Sequence, residues 1–231
     1  MQIKKINNTV FEKLNKKIIA CNKCSRLVKF RKKISSEKRK QYLNETYWGK
    51  PITGFGDQNG KILFVGLAPA AHGGTRTGRV FTGDKSSEFL YKCMFKANIS
   101  NIPSSEHIND GLKLNEAFIT TALKCVPPED KPNKDELHNC FNFFEQEINL
   151  LKNLKVIIAL GKIAFDACID FYKNNHELRN KFKFVHGKSY KLPNNILLVG
   201  CYHPSPRNVN TGRINEKKMT NLFKSIKKKI N

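Results

Sequence analysis

The chain has 231 residues, a formal net charge of +23 and a hydrophobic share of 39%. This share excludes a wholly disordered polyelectrolyte, and the length allows one large domain or two small ones with a real core. The longest aliphatic run, Val156 to Leu160, is far shorter than the roughly 20 apolar residues of a membrane helix. We therefore expect a soluble protein.

Positive charge is concentrated at the two ends of the chain. Residues 1–50 carry 15 basic and 3 acidic side chains, and residues 201–231 carry 8 and 1. Lysine and arginine gain affinity for polyanions because phosphates release condensed counterions on binding. The ends therefore predict nucleic acid or an anionic surface as partner, whereas compositional drift toward lysine would spread the charge evenly.

The N-terminus and the cysteine content indicate the compartment. The first residues lack the apolar core and cleavage site of a secretory signal, so we expect a cytoplasmic protein. Seven cysteines are an odd number, which makes a disulfide framework a poor expectation and favours thiols or thiolate ligands.

Four continuous apolar runs alternate with stretches of helical periodicity. This order predicts a three-layer α/β sandwich, with a parallel sheet covered on both faces and a basic, partly helical extension over about residues 1–50. In chain order, the predicted elements are strand 61–65, helix 86–99, strand 117–123, helix 134–151, strand 155–160, helix 162–172, strand 195–199 and helix 214–230.

Unusual residues follow each predicted strand. The four segments begin Gly66-Leu-Ala-Pro-Ala, Lys124-Cys-Val-Pro-Pro, Gly161-Lys and Gly200-Cys-Tyr-His-Pro-Ser-Pro-Arg-Asn. Ligands of open parallel sheets bind beyond the carboxyl ends of the strands. We therefore expect these four loops to converge on one site.

Four cysteines form two candidate ligand pairs. Cys21 and Cys24 make a C-x2-C pair, while Cys125 lies beside two prolines and Cys140 lies on the next predicted helix. Such a tetrad can complete four-coordination, and its spacing is compatible with zinc and with an iron–sulfur cluster. The other three lie on apolar faces and are expected in the core: Cys93, Cys168 and Cys201.

The motifs after the strands, taken in order, resemble the family 5 (type B) uracil-DNA glycosylases. The resemblance runs from about Cys21 to about Arg213. It implies a central four-stranded parallel sheet in a single domain spanning residues 1–231, with a 4Fe-4S cluster tying in the N-terminal extension. It also implies hydrolytic removal of uracil from DNA by a monomer. The motifs are Gly66-Leu-Ala-Pro-Ala, Arg76-Thr-Gly-Arg-Val-Phe-Thr-Gly-Asp, Lys124-Cys-Val-Pro-Pro and His203-Pro-Ser-Pro-Arg-Asn.

The resemblance also implies roles for individual residues. Asp84 would be the catalytic carboxylate, His203 would donate a hydrogen bond to the uracil O2, and Phe81 would stack on the flipped base. The cluster ligands would be Cys21, Cys24, Cys125 and Cys140. The remaining residues of the base pocket would be Gly66, Leu67, Ala68 and Thr121.

The last motif also suggests contacts with DNA. Arg207 follows Pro204-Ser-Pro206, a stiff segment suited to pushing a side chain into the duplex. Ser205 and Asn208 would contact phosphates. The partner would then be DNA that contains uracil, with hypoxanthine and other deaminated bases as further substrates.

Each assignment has an alternative that the residues leave open. Asp84 precedes a predicted helix and suits a helix cap, Phe81 suits a core position, and His203 and Arg207 suit ordinary turn and surface positions. Leu67-Ala68 supplies no carboxylate, and Thr121 stands where related families use asparagine to read uracil. A non-catalytic iron–sulfur protein that binds uracil-containing DNA is therefore the alternative function, and a zinc protein is a third.

Overall fold

The computed structural model describes residues 2–178 and 181–230. Short 3-10 turns lie at Lys40–Tyr42, Pro128–Asp130 and Pro193–Asn195. The helices are α1 (Gln2–Ile19), α2 (Ser25–Glu37), α3 (Gly74–Thr77), α4 (Lys85–Lys96), α5 (Lys134–Leu150), α6 (Lys162–Asn175), α7 (Pro206–Asn210) and α8 (Glu216–Ile230). The strands are β1 (Phe55–Gly56), β2 (Ile62–Gly66), β3 (Ala117–Thr121), β4 (Val156–Leu160), β5 (Ser189–Lys191) and β6 (Leu197–Cys201).

The strands form one sheet in the order β1-β3-β2-β4-β6-β5. The four central strands are parallel and match the four predicted runs, which confirms the parallel sheet. In the part of the chain described, β1 and β5 each add one antiparallel strand at an edge of this four-stranded parallel centre, and neither was predicted. Both edge strands are short and partly exposed, so neither produces the apolar run by which a buried strand is recognised.

Helices cover both faces of the sheet, as the three-layer prediction requires. Along β2, Ile62 and Phe64 point to one face and Leu63 and Val65 to the other, since side chains alternate along a strand. The first face packs against α4 and α8, including Phe223, whose ring lies 5.2 Å from that of Phe64. The second face packs against α5 and α6.

The basic extension is helical and packs on the rest of the chain. Phe11 of α1 is buried with its ring 5.6 Å from that of Phe118 in β3. Leu14, Ile18 and Leu27 form a small cluster with Cys140 of α5. The extension therefore has apolar contacts of its own that hold it against α5.

All four parallel strands end at the same edge of the sheet. Gly66 at the end of β2 is in register with Thr121 at the end of β3, and Leu160 of β4 is in register with Cys201 of β6. The four loops singled out by sequence therefore start side by side. No helix in the described residues is both long and apolar enough to cross a membrane.

Candidate active site

Gly66 makes room for an aromatic ring at the end of β2. A Cβ atom at Gly66 would lie 2.7 Å from two carbons of the Phe81 ring and 3.4 Å from Cγ2 of Thr121. Phe81 has a positive φ of 47° and is only 8% exposed. The ring is thus held in the narrow space between β2 and the loop that precedes α4.

His203 lies beside the same ring. The imidazole and Phe81 ring centroids are 6.0 Å apart at an interplanar angle of 35°. Burial lowers the pKa of His203 to about 4, so the ring is neutral at neutral pH. A neutral imidazole carries one N–H donor and one acceptor nitrogen, so His203 has a donor to offer without carrying a charge.

The two residues after Gly66 are held through their backbone and their packing. The Leu67 carbonyl accepts a hydrogen bond from the Leu123 N–H at 2.9 Å, which extends the β2–β3 pairing past the strand ends. Ala68 packs against the cluster that contains the cysteines. Thr121 is 1% exposed, and its carbonyl accepts a hydrogen bond from Nζ of Lys124 at 2.8 Å.

Asp84 caps helix α4, as its position before the helix suggested. Its Oδ1 accepts hydrogen bonds from the N–H groups of Ser86 and Ser87, both at 2.9 Å. The Ser87 hydroxyl completes a capping box with the Asp84 backbone. The other oxygen, Oδ2, faces Gly73, where a Cβ atom would lie only 2.1 Å away. One carboxylate oxygen thus stabilises the helix while the second lies against the loop after β2.

Burial dominates the electrostatics of Asp84. Desolvation raises the pKa of its carboxyl group, although the two backbone donors and the charge of Arg76 act in the opposite direction. Asp84 also lines a pocket of about 920 Å³. Phe81, His203, Gly66 and Thr121 lie outside the lining of this pocket. The structure therefore forms two groups of predicted residues, connected through the short backbone segment from Phe81 to Asp84.

A histidine without an assigned role lines the same pocket. His72 Nδ1 lies 2.9 Å from the Tyr47 hydroxyl. Burial and the nearby charges of Arg39 and Arg76 lower the pKa of His72. In a neutral imidazole one ring nitrogen is a donor and the other an acceptor, so the tautomer of His72 sets which of the two groups donates in this hydrogen bond.

Two buried arginines hold the loop that carries Phe81 and Asp84. Arg79 donates to both carboxylate oxygens of Asp110, at 2.9 and 2.5 Å, and to the hydroxyl of Thr82 at 2.9 Å. Arg76 donates to the carbonyls of His72 and Gly83. Sequence analysis missed both roles. The only signal was the Arg-Thr-Gly-Arg spacing, which does not reveal burial.

The loop after β6 is closed by its own side chains. The Ser205 hydroxyl accepts a hydrogen bond from the Asn208 N–H at 3.4 Å and caps α7. Nδ2 of Asn208 donates to the His203 carbonyl at 2.9 Å. Arg207 is exposed between them. Asn208, predicted to contact phosphate, therefore uses its side-chain amide to hold the backbone of His203.

The four paired cysteines line one small pocket. Cys21 and Cys24 lie between α1 and α2, and Cys125 and Cys140 approach from the loop after β3 and from α5. Burial raises the pKa of Cys125 to about 12 and that of Cys140 to about 11, and each of these two thiols also feels charges on Cys21 and Cys24. No carboxylate from the described part of the chain lines this pocket. Among the described residues, no three His, Cys, Asp or Glu side chains are arranged to hold a single metal ion.

A buried cation lies beside the cysteines. Arg31 is 5% exposed and donates to the carbonyl of Cys21 at 3.2 Å and to Asn22 Oδ1 at 2.6 Å. Its charge lowers the pKa of Cys125 against the effect of burial, and its Nε is buried with no hydrogen-bond partner in the described chain. An all-sulfur donor set with an adjacent buried cation fits a thiolate-bound metal group that carries net negative charge.

A buried ion pair supports the loop after β3. Lys124 and Glu147 are 2% and 1% exposed, and Nζ of Lys124 donates to a Glu147 carboxylate oxygen and to the Thr120 hydroxyl. The Lys124 N–H donates to Sγ of Cys140 at 3.2 Å. Lys124 therefore connects the sheet edge to the cysteine pocket, although sequence analysis treated it only as part of a motif.

Comparison with known proteins identifies the family. The model of the uracil DNA glycosylase superfamily matches residues 53–227. A type-5 uracil-DNA glycosylase of Mycobacterium leprae is 38% identical over 216 residues, covering 93% of each chain. One of Thermus thermophilus is 39% identical over 214 residues, covering 91% of this chain and 94% of the relative. The chain belongs to the type-5 uracil-DNA glycosylases.

Family membership confirms the resemblance on which the site assignments rest. A type-5 relative from Pyrobaculum aerophilum is 37% identical over 198 residues, covering 86% of this chain and 84% of the relative. The superfamily match begins only at residue 53. Cys21, Cys24 and the residues around Tyr47 therefore lie before the part of the chain that the superfamily model describes.

Proposed function

We propose that this type-5 uracil-DNA glycosylase removes uracil from DNA by hydrolysis of the N-glycosidic bond. The observation that carries the proposal is the contact between Phe81, which packs on Gly66 at the end of β2, and the neutral His203, which follows β6. An aromatic face beside a hydrogen-bond donor suits a base that has been flipped out of the helix.

Bond cleavage places negative charge on uracil and positive charge on the sugar. A donor aimed at O2 acts more strongly on the transition state than on the bound substrate, and the neutral N–H of His203 fills this role. Phe81 supplies the stacking face. Gly66 and Thr121 lie next to that ring, and Leu67 and Ala68, which follow Gly66, would complete the pocket for the base.

Asp84 is the carboxylate that orients the attacking water. Oδ1 is used by the helix cap, so the water would bind at Oδ2. Burial raises the pKa of Asp84, so its carboxylate, once ionised, is more basic than that of an exposed aspartate.

We also propose that Cys21, Cys24, Cys125 and Cys140 hold a 4Fe-4S cluster. The donor set and the buried Arg31 support it. When bound, the cluster supplies a cross-link between the N-terminal helices and the loop after β3, and it takes no part in bond cleavage. It thereby ties the extension into a single domain of residues 1–231.

The DNA partner is bound by a monomer through the loop after β6 and the basic ends. Arg207 enters the duplex where the base leaves, and Ser205 and Asn208 lie near the flanking phosphates. We place the protein in the cytoplasm with the DNA. Hypoxanthine and other deaminated bases are further substrates in this proposal, since Thr121 offers no asparagine amide to select the uracil edge.

The test is a base-release assay on the protein purified without oxygen. Duplex and single-stranded DNA carrying uracil, hypoxanthine or thymine would be incubated with excess enzyme and then treated with alkali. Strand cleavage at uracil supports the proposal, whereas intact strands at stoichiometric enzyme contradict it. Iron and sulfide content with visible absorption tests the cluster, with Cys125→Ser expected to lose iron and Cys168→Ala, in the core, expected to retain it.

The second candidate is a protein that binds uracil-containing DNA without turnover. The observation that favours it is that Asp84 is already engaged as a helix cap while Leu67 and Ala68 supply no carboxylate. It predicts tight binding with no abasic site. Release of uracil by the wild type, together with loss of release in Asp84→Asn, would rule it out.

A further inference from the structure

Arg76 joins the two backbone segments that meet at Asp84. Its Nε donates to the His72 carbonyl at 2.8 Å, and its Nη2 donates to the Gly83 carbonyl at 2.9 Å. His72 precedes Gly73, and Gly83 precedes Asp84. The Arg76 side chain therefore holds His72 and Gly83 together, and the residue after each of them, Gly73 and Asp84, makes the close contact at Oδ2.

Space around this arginine is tight. A Cβ atom at Gly83, whose φ is +76°, would lie 2.4 Å from Nη2 of Arg76. Arg76 itself is 8% exposed. Gly83 can approach the guanidinium this closely only because it has no side chain. The close contact restricts the backbone at Gly83 and therefore the orientation of Asp84, the next residue.

The other side of the guanidinium is held by the N-terminal segment. Nη1 donates to Oε2 of Glu45 at 2.5 Å, and the guanidinium carbon lies 3.9 Å from the centre of the Tyr42 ring. Both residues line the same pocket as Asp84, and both precede the residues matched by the superfamily model.

We propose that Arg76 is a positioning residue for Asp84, and that Tyr42 and Glu45 complete the active site by holding Arg76 in place. This inference rests on the proposed function, in which Asp84 orients the attacking water. The two hydrogen bonds set the position of Oδ2 relative to the pocket, and the positive charge favours the ionised carboxylate. The segment around Tyr42 and Glu45 is therefore part of the catalytic apparatus.

The charges around Asp84 determine the direction in which its pKa changes when Arg76 is replaced. Burial raises the pKa of Asp84, the charge of Arg76 lowers it, and the charge of Asp130 raises it. Removal of the Arg76 charge must therefore raise the pKa further. The other titratable and charged side chains that line the pocket are Arg39, Tyr42, Glu45, His72, Lys85, Glu88, Glu106 and His107.

Three variants separate positioning from a purely structural role. Arg76→Met removes the charge and the hydrogen bonds, whereas Arg76→Lys keeps the charge and loses the planar fork that reaches two carbonyls. Lys85→Met is the matched control, because it removes an equal charge next to Asp84 from an exposed side chain. If Arg76→Met does not fold, Glu45→Gln releases one side of Arg76 at a half-exposed position.

The first readout is independent of turnover. Carboxyl carbon NMR of the holoprotein, with Asp84 assigned through Asp84→Asn, follows the titration of this one group. We expect Arg76→Met to raise the pKa of Asp84 above that of the wild type, because the nearby positive charge is lost. Arg76→Lys and Lys85→Met should leave it close to that of the wild type.

The second readout is single-turnover uracil release as a function of pH. Arg76→Met should move the acidic limb of the profile upward and lower the plateau rate by about 10-fold or more. Arg76→Lys should lower the plateau without moving the limb, and Glu45→Gln should lower it by a smaller factor. The dissociation constant for uracil-containing DNA should stay within about twofold, because binding is not the step affected.

The outcomes separate the inference from the function on which it rests. If the wild type releases no uracil, the proposed function fails, and the NMR titration alone reports on Arg76 and Asp84. If the wild type is active and Asp84→Asn is not, but Arg76→Met or Glu45→Gln behaves like Lys85→Met, the inference about Arg76 is overturned while the function stands.

Discussion

The ring of Phe81 lies 6.0 Å from the imidazole of His203, and it reaches this position only because Gly66 has no side chain. In Gly66→Ala, the added methyl group would collide with the ring at 2.7 Å. We expect uracil release to fall by at least about 10-fold, because Phe81 would leave the position in which we propose that it stacks on the base. The measurement is single-turnover release from duplex DNA.

Circular dichroism and thermal unfolding provide the check for Gly66→Ala. Gly66 does not have a positive φ, so alanine brings no backbone strain, and the helical signal should match that of the wild type. Wild-type rates in this variant would show that the ring can move aside without loss, and that Phe81 is a core residue only.

Asp84→Asn separates capping from chemistry. Asparagine caps helices about as well as aspartate, so the free energy of unfolding should change by less than about 1 kcal/mol. Uracil release should fall by about 100-fold to 10,000-fold, as for the loss of a catalytic base. Denaturant unfolding and single-turnover kinetics measure the two effects.

Asn133→Ala is the matched control for Asp84→Asn. Asn133 caps α5 through the same kind of capping box, away from the pocket. The substitution Asn133→Ala should lower the free energy of unfolding by about 1 kcal/mol and leave the rate of uracil release near that of the wild type. A rate in Asp84→Asn equal to that in Asn133→Ala would contradict a catalytic role for Asp84.

His203 gives stability a pH dependence. Burial lowers its pKa from 6.5 to about 4 in the folded protein. Between these values the unfolded chain binds a proton that the folded protein does not, so stability is lost as the pH falls from about 6.5 toward about 4. The full effect is of the order of 3 kcal/mol. Denaturant unfolding of the wild type and of His203→Gln across this pH range measures the contribution of His203. If the free energy of unfolding depended on pH equally in both proteins, the burial of the imidazole would be contradicted.

Arg207 is exposed on a stiff turn, so its removal should not affect folding. We expect Arg207→Ala to slow release from duplex DNA by about 10-fold, and release from single strands much less, because a single strand leaves no gap to fill. Arg213→Ala removes an equal exposed charge six residues further on and is the control. If Arg207→Ala slowed release equally from duplex and single-stranded DNA, or if Arg213→Ala slowed release from the duplex as much, Arg207 would make only a general electrostatic contact with DNA.

The buried pair of Lys124 and Glu147 should make a large contribution to stability when broken from one side. Glu147→Gln leaves the ammonium group without its counter-charge, which costs about 3 kcal/mol. Glu145→Gln, on the same helix but less buried, should change stability by less than about 0.5 kcal/mol. Chemical denaturation of both variants measures the difference, and similar midpoints would mean that water reaches Lys124.

The extent to which sequence predicts this structure depends on how local the signal is. The four central strands are continuous apolar runs, and the Asp84 cap is visible from its place before a helix, so both were predictable. Strands β1 and β5 were not, because Phe55–Gly56 and Ser189–Lys191 are short and partly exposed.

The site residues that lie within sequence motifs were predictable. The contacts between residues that are far apart in the sequence were not. Phe81, Asp84 and His203 lie in recognisable segments. The contacts of Arg76 with Glu45 and of Lys124 with Glu147 join residues 31 and 23 positions apart. Whether a lysine or arginine is buried depends on its partner, and no local pattern names that partner.

The hydrogen bond from Asn208 to the His203 carbonyl connects the turn for which we propose DNA contacts to the imidazole for which we propose a contact with the base. A DNA strand that contacts the turn would then also hold the backbone of His203, whereas a free nucleoside would contact the imidazole alone. Free uridine nucleosides, which cannot contact the turn, should be cleaved far more slowly than the same nucleoside within a DNA strand. Substrate length thereby becomes a criterion of selection alongside the chemistry of the base.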